Sequence, residues 1–171
     1  MRAQKLSVGK AVKPIDLETR LTDDHHQALK LWLRLLSCTN LIEAEIRNRL
    51  RAEFGITLPR FDLMAQLERH RGGLKMSELS RRLMVSGGNV TGLTDQLEKE
   101  GLVTRADDPV DRRAYTVKLT PAGRALFTRM ASAHEQWVIE LFSGLTANDK
   151  TQAQRLLAKL KLHVAGAQAT Q

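Results

Sequence analysis

The chain has 171 residues, 42% of them hydrophobic and 27% charged, which suits one globular domain or two small ones. No apolar run approaches the roughly 18 residues that a bilayer span needs, and the basic first twenty residues carry no apolar h-region, so neither a membrane protein nor a secretory signal is expected. A single cysteine, Cys38, excludes an intrachain disulfide framework and a multi-cysteine zinc site, and the chain reads as a soluble cytoplasmic protein.

The formal net charge of +8 favours a polyanionic partner. The surplus is spread along the chain, however, and residues 60–118 are close to charge balance. Function therefore has to be read from particular side chains.

Residues 1–21 hold Gly9, Pro14 and scattered cations without apolar periodicity, and read as a flexible basic arm. Thr22 or Asp23 is placed to cap a helix running to about Phe54, which with the turn after it makes a segment over 22–58. From Ala28 to Ile46 apolar residues fall nearly all round that helix, among them Leu29, Leu31, Trp32, Leu36 and Leu41. A helix apolar on every side must be surrounded by protein, and a second copy of the chain is the simplest supplier. The pairs Glu43/Arg47 and Glu45/Arg49, spaced i,i+4, mark a more solvated end before Gly55 stops the helix.

Pro59 opens a second helix with Phe61, Met64, Ala65 and Leu67 facing inward, followed by a turn at Arg71, Gly72 and Gly73. MSELSRRLM is a short amphipathic helix with Met76, Leu79 and Leu83 on one side. Val90, Leu93 and Leu97 set the inner face of the next helix, which Gly101 ends at a left-handed cap. LVTRA and YTVKL alternate apolar with polar around the turn-rich DDPVDRR, which predicts a β-hairpin and completes a segment over 59–119. Thr120-Pro121 starts a helix carrying Leu126, Met130, Trp137 and Leu141 and breaking at Gly144. Thr146 starts the last helix, with Asp149 at the capping-box spacing where Glu or Gln is commoner. Leu156, Leu157, Leu160 and Val164 form its apolar face, so helices occupy 120–165 and a frayed tail remains over 166–171.

The middle of this order is a winged helix-turn-helix. MSELSRRL, the turn MVS and GGNVTGLTDQLEKEG supply a short first helix, a tight turn and a second helix that packs through one face. The opposite face presents Gly87, Gly88, Asn89, Thr91, Gly92 and Asp95, short groups that let a backbone approach DNA closely; Asn89 can bond adenine through its amide. Three glycines in one short helix cost stability, which asks for a compensating reason. The hairpin loop holds Asp111, Arg112 and Arg113, cations suited to the negative potential of a minor groove.

The run MSELSRRLMVSGGNVTGLTDQLEKEGLVTRADDPVDRRAYTVKLTPAGRALF resembles the winged helix of the MarR family of bacterial transcription regulators. Its most specific pieces are DPVDRR, LTPAGRAL and LTDQLEKEGLV, and the flanking helices from about 22 to 163 fit that family's dimerisation elements. The resemblance implies a mainly α fold with a small β-hairpin wing, flanked by N- and C-terminal dimerisation helices. It implies a homodimer on double-stranded, pseudo-palindromic operator DNA, repressing until a small-molecule effector releases it. Carried over by position, Asp111 and Arg113 match the wing-tip acid and minor-groove arginine, and Ser86, Gly87, Gly88, Asn89 and Thr91 the start of the recognition helix. Lys75, Arg81, Arg82 and Arg105 are the phosphate-contact candidates, and Arg112 belongs with Arg113 to the basic wing. Gly87-Gly88 departs from the larger side chains common in relatives and shifts readout toward backbone and shape.

LMVSGGNVTGL most resembles members that sense CoA thioesters of aromatic acids such as hydroxycinnamates, with Arg34 and the basic arm set for the CoA phosphates and Trp32, Leu36, Phe61 and Met64 for the aryl group. The same apolar residues would serve a plain core. Cys38 offers thiol-based redox sensing instead, but sits among Leu35, Leu36, Leu41 and Ile42, where burial would raise its pKa. A winged helix used only for protein contacts is the remaining alternative. No nucleophile elbow, phosphate loop or zinc-protease signature points to an enzyme, and no cofactor is expected. Nothing in the spacing brings His25, His26 and His134 together as metal ligands.

Overall fold

The computed structural model describes residues 26–107 and 115–168. The basic arm, the cap candidates Thr22 and Asp23, His25 and the loop residues Asp111, Arg112 and Arg113 lie outside the described residues.

The order is α1 (Gln27–Phe54), α2 (Leu58–Arg69), β1 (Leu74–Lys75), α3 (Met76–Leu83), α4 (Gly87–Lys99), β2 (Val103–Asp107), β3 (Tyr115–Leu119), α5 (Pro121–Leu141) and α6 (Ala147–Gln168). The fold class is the one the sequence implies, mainly α with a small winged sheet. The sheet has one strand more than predicted: β1 pairs antiparallel with β3, Leu74 opposite Val117, in the order β1-β3-β2. Two residues are too short to show an alternating pattern. Gly73 permits the approach, because at its φ of +95° a Cβ would lie 2.3 Å from Thr116 Cγ2. β2 and β3 pair from Val103 opposite Leu119 to Asp107 opposite Tyr115.

The chain divides into two units, residues 1–44 and 45–171. In the first, the α1 side chains Leu29, Leu31, Trp32, Leu36 and Leu41 are exposed, and so is Cys38. Within the single chain Cys38 is therefore open beside Leu36 and Leu41, while Leu35 and Ile42 are half-buried.

The second unit holds the core. Leu50 from the end of α1, Leu63, Met64 and Leu67 from α2, Leu79 from α3, Val90 and Leu97 from α4, Val117 from β3 and Met130 from α5 are all sealed from solvent. Removing one such Leu side chain costs about 2–5 kcal/mol. The sequence missed two polar members of this core. Thr94 is fully buried, its hydroxyl satisfied by donating to the Val90 carbonyl at 2.8 Å, while Leu93 is only half-buried. Arg60 is also buried and pairs with Glu100 at the end of α4, its Nε lacking a partner among the described residues.

The helix ends follow local chemistry. Gly101, at φ +70°, closes α4 in a Schellman arrangement: Leu102 N–H donates to the Leu97 carbonyl and Gly101 N–H to that of Glu98, both at 2.9 Å. Thr120 caps α5, accepting from Gly123 N–H at 3.0 Å and donating to the Gly101 carbonyl at 2.7 Å. At α6, Thr146 and Asp149 cap each other reciprocally, Thr146 N–H to Asp149 Oδ2 at 2.9 Å and Asp149 N–H to Thr146 Oγ1 at 3.2 Å. α5 ends at Leu141, three residues before the predicted break at Gly144.

Candidate nucleic-acid interface

The turn between α3 and α4 is held from inside. Ser80 donates its hydroxyl to the Val85 carbonyl at 2.6 Å and accepts Val85 N–H on its own carbonyl at 3.3 Å. This leaves Met84 at φ 53°, in the left-handed region a methionine rarely occupies, with its side chain 91% exposed. Ser86 occupies the α4 N-cap in extended conformation, but its side chain makes no capping bond.

α4 packs through Val90, Thr94 and Leu97, spaced as one helical face. The other face carries Gly87, Gly88, Asn89, Thr91, Gly92 and Asp95, all exposed. Thr91 turns its hydroxyl back to the Gly87 carbonyl at 3.0 Å. A Cβ built on Gly87, Gly88 or Gly92 meets nothing within 4 Å. No packing within the described residues requires these glycines, although Gly92, inside the helix, is about 1 kcal/mol less favourable than alanine there.

The cations predicted to reach phosphates stand in different settings. Arg81 is exposed, with Glu78 at 3.8 Å; Arg82, at the same helix end, lies 3.9 Å from Glu78. Lys75 is half-buried in β1. Arg105 on β2 is the one of the four drawn most firmly inward, paired with both Asp95 and Glu98 of α4, the latter at 3.0 Å.

The residues expected at an effector divide between the units. Trp32, Arg34 and Leu36 lie on the exposed part of α1. Phe61 stacks on Phe127 at 5.6 Å and lies 5.2 Å from the His134 ring. These three rings line a surface cavity of about 530 Å³ between α2, the end of α3 and α5, whose charged lining residues are Asp62, Glu68, Arg69 and Arg82. Burial holds the His134 imidazole below the usual histidine range. Met64 has no exposed surface and does not line the cavity. Among the described residues no group of three His, Cys, Asp or Glu side chains could hold a metal ion, and no helix is long and apolar enough to cross a membrane.

A short helix, a tight turn, a second helix with an open polar face and an adjoining hairpin define a winged helix-turn-helix DNA-binding protein. Residues 56–115 match the model of the MarR family. The chain is 30% identical to the transcriptional activatory protein BadR of Rhodopseudomonas palustris over 78% of its own length and 77% of BadR's. It is 33% identical to the uncharacterised HTH-type transcriptional regulator YkoM of Bacillus subtilis, covering 54% of this chain and 60% of YkoM. Its fold matches that of Sco3205 from Streptomyces coelicolor, a MarR family transcriptional regulator solved in complex with DNA, at a TM-score of 0.72 and 25% identity, over 86% of this chain and 90% of that one. The chain belongs to the MarR family, whose members are transcription regulators.

Proposed function

We propose that this regulator acts in the cytoplasm as a homodimer on a pseudo-palindromic operator, represses transcription there, and is released by a small-molecule effector. The observation that carries the DNA reading is the outer face of α4, where three glycines that no internal contact requires flank Asn89. Close approach of that face to base edges gives the glycines a reason, with Asn89 as the base-reading amide and Ser86 and Thr91 beside it. Arg81, Arg82 and Lys75 then serve the phosphates, and Arg112 and Arg113, with Asp111 beside them, serve the minor groove. A protein-contact module would instead present an apolar face here.

The homodimer rests on apolar surface left open in each unit. Besides the α1 stripe, Leu156, Leu157, Leu160, Leu162 and Val164 of α6 are exposed, more than a monomer usually leaves to water. Two recognition helices would then enter successive major grooves about 34 Å apart.

For the effector, the cavity beside Phe61, Phe127 and His134 offers stacking surfaces for one aryl group, and its charged lining balances Arg69 and Arg82 against Asp62 and Glu68. The aryl part of an aromatic acyl-CoA suits those rings; Met64 would not touch it, and Trp32, Arg34 and Leu36 enter only through the family resemblance. Selecting duplexes from a randomised pool with the full chain, then titrating the selected duplex with p-coumaroyl-CoA, feruloyl-CoA and the free acids, tests the reading. Release by a thioester supports the effector; selective binding that none of them relieves removes it and keeps the regulator. A promoter reporter gives the sign, since BadR is named as an activatory protein.

A further inference from the structure

Arg105 looks like one more basic residue beside a DNA-binding helix, and its place on β2, the strand leading toward the hairpin loop, invites a phosphate-contact role. Its surroundings argue otherwise. Nη2 of its guanidinium bonds Asp95 and Nη1 lies 3.0 Å from Glu98, while its backbone N–H donates to the other Glu98 oxygen at 3.3 Å. Its side chain is only 25% exposed. One cation held by two carboxylates leaves the cluster with a net negative charge, so it offers phosphate no attraction and no counterion to release. Asp95 and Glu98 lie one turn apart on α4, on the side toward β2, and both reach the same arginine.

From this geometry we infer that Arg105 is a positioning residue: it fixes the first strand of the wing to the recognition helix, so that α4 and the hairpin meet DNA as one piece. The inference rests on the DNA-binding reading above. It assigns Asp95 the same role, although that carboxylate stands on the exposed face of α4 and would otherwise be taken for a base contact or an obstacle to DNA.

The two roles differ in sign. Electrostatics alone requires that neutralising two carboxylates beside DNA tightens binding, whereas loss of a clamp weakens selective binding. The test uses the full chain, a duplex that the wild type selects from a randomised pool, and a scrambled duplex of the same composition. Asp95→Asn/Glu98→Gln is expected to weaken the selected duplex roughly tenfold while leaving the scrambled one unchanged or tighter. Arg105→Met should also weaken the selected duplex without altering the slope of log K against log salt, and adding it to the double variant should cost nothing further.

A slope lower by about 0.9 per subunit in Arg105→Met would make Arg105 a phosphate contact and overturn the proposal. So would tighter or unchanged binding of the selected duplex by Asp95→Asn/Glu98→Gln, or additive losses in the triple variant. Thermal melting checks that each variant is folded; if Arg105→Met is not, the carboxylate pair decides alone. Failure of the wild type to select any duplex would instead remove the DNA reading, and this inference with it.

Discussion

Gly123 runs so close to Leu102 that a Cβ on it would lie 1.9 Å from the Leu102 carbonyl oxygen. The contact joins the first turn of α5 to the chain leaving α4, and Thr120 reinforces it by donating its backbone N–H to that same oxygen at 3.1 Å. The obstructing atom is backbone, which cannot swing aside. Gly123→Ala should therefore destabilise the fold by about 2 kcal/mol or more, read as a lower midpoint in urea. An unchanged midpoint would mean that the junction yields easily and does not fix α5 against α4.

The glycines of α4 predict the opposite. Gly88→Ala and Gly92→Ala meet no atom within 4 Å; Gly92→Ala should raise stability by about 0.5–1 kcal/mol and Gly88→Ala, in the first turn of α4, by less. Both should weaken selective DNA binding, since the added methyl holds the helix away from the bases. Higher stability with undiminished binding would leave the glycines without the role assigned to them.

Arg60 and Glu100 should respond unequally. The Arg60 side chain is 10% exposed and that of Glu100 47%, so removing the acid strands a buried charge while removing the arginine leaves a solvated one. Glu100→Gln is expected to cost about 1–3 kcal/mol, and Arg60→Met much less. Denaturant midpoints of the two single variants provide the check; equal losses would contradict this asymmetry.

His134 sets a pH dependence. Its imidazole is held below the ordinary histidine value of 6.5 by burial, so the folded protein resists a proton that the unfolded chain accepts. The stabilising contribution of the neutral ring is whole above pH 6.5 and is lost as pH falls from there toward the folded pKa. Asp149, held below the ordinary carboxylate value of 3.8 by the Thr146 hydroxyl and N–H, loses its contribution only at lower pH as it protonates. Melting temperatures at pH 7.5 and 5.5 should therefore differ less in His134→Phe than in the wild type. An equal difference would place the pH sensitivity elsewhere.

Much of this was legible in the sequence because its signals are local. The capping pair at Thr120-Pro121, the left-handed Gly101 and the spacing of Val90 and Leu97 each report on a few neighbouring residues. The features missed depend on bonds and pairings that apolar periodicity does not report. β1 exists because β3 is there to pair with it. Thr94 can be buried because the hydroxyl finds Val90 on its own helix, and a polar residue in an apolar stripe reads as exposed unless that bond is foreseen. Arg60 and Arg105 look like surface cations until Glu100, Asp95 and Glu98 are brought beside them.

The most direct test of the DNA-binding account is the ratio of affinities for a selected duplex and a scrambled one, measured with the full chain at one fixed salt concentration. The account predicts at least roughly a thousandfold preference for the selected duplex, reduced in Asn89→Ala more than binding to the scrambled duplex is. Equal affinity for both duplexes, falling with salt in the same way, would show a basic protein attracted to phosphate and contradict the reading of α4 as a recognition helix.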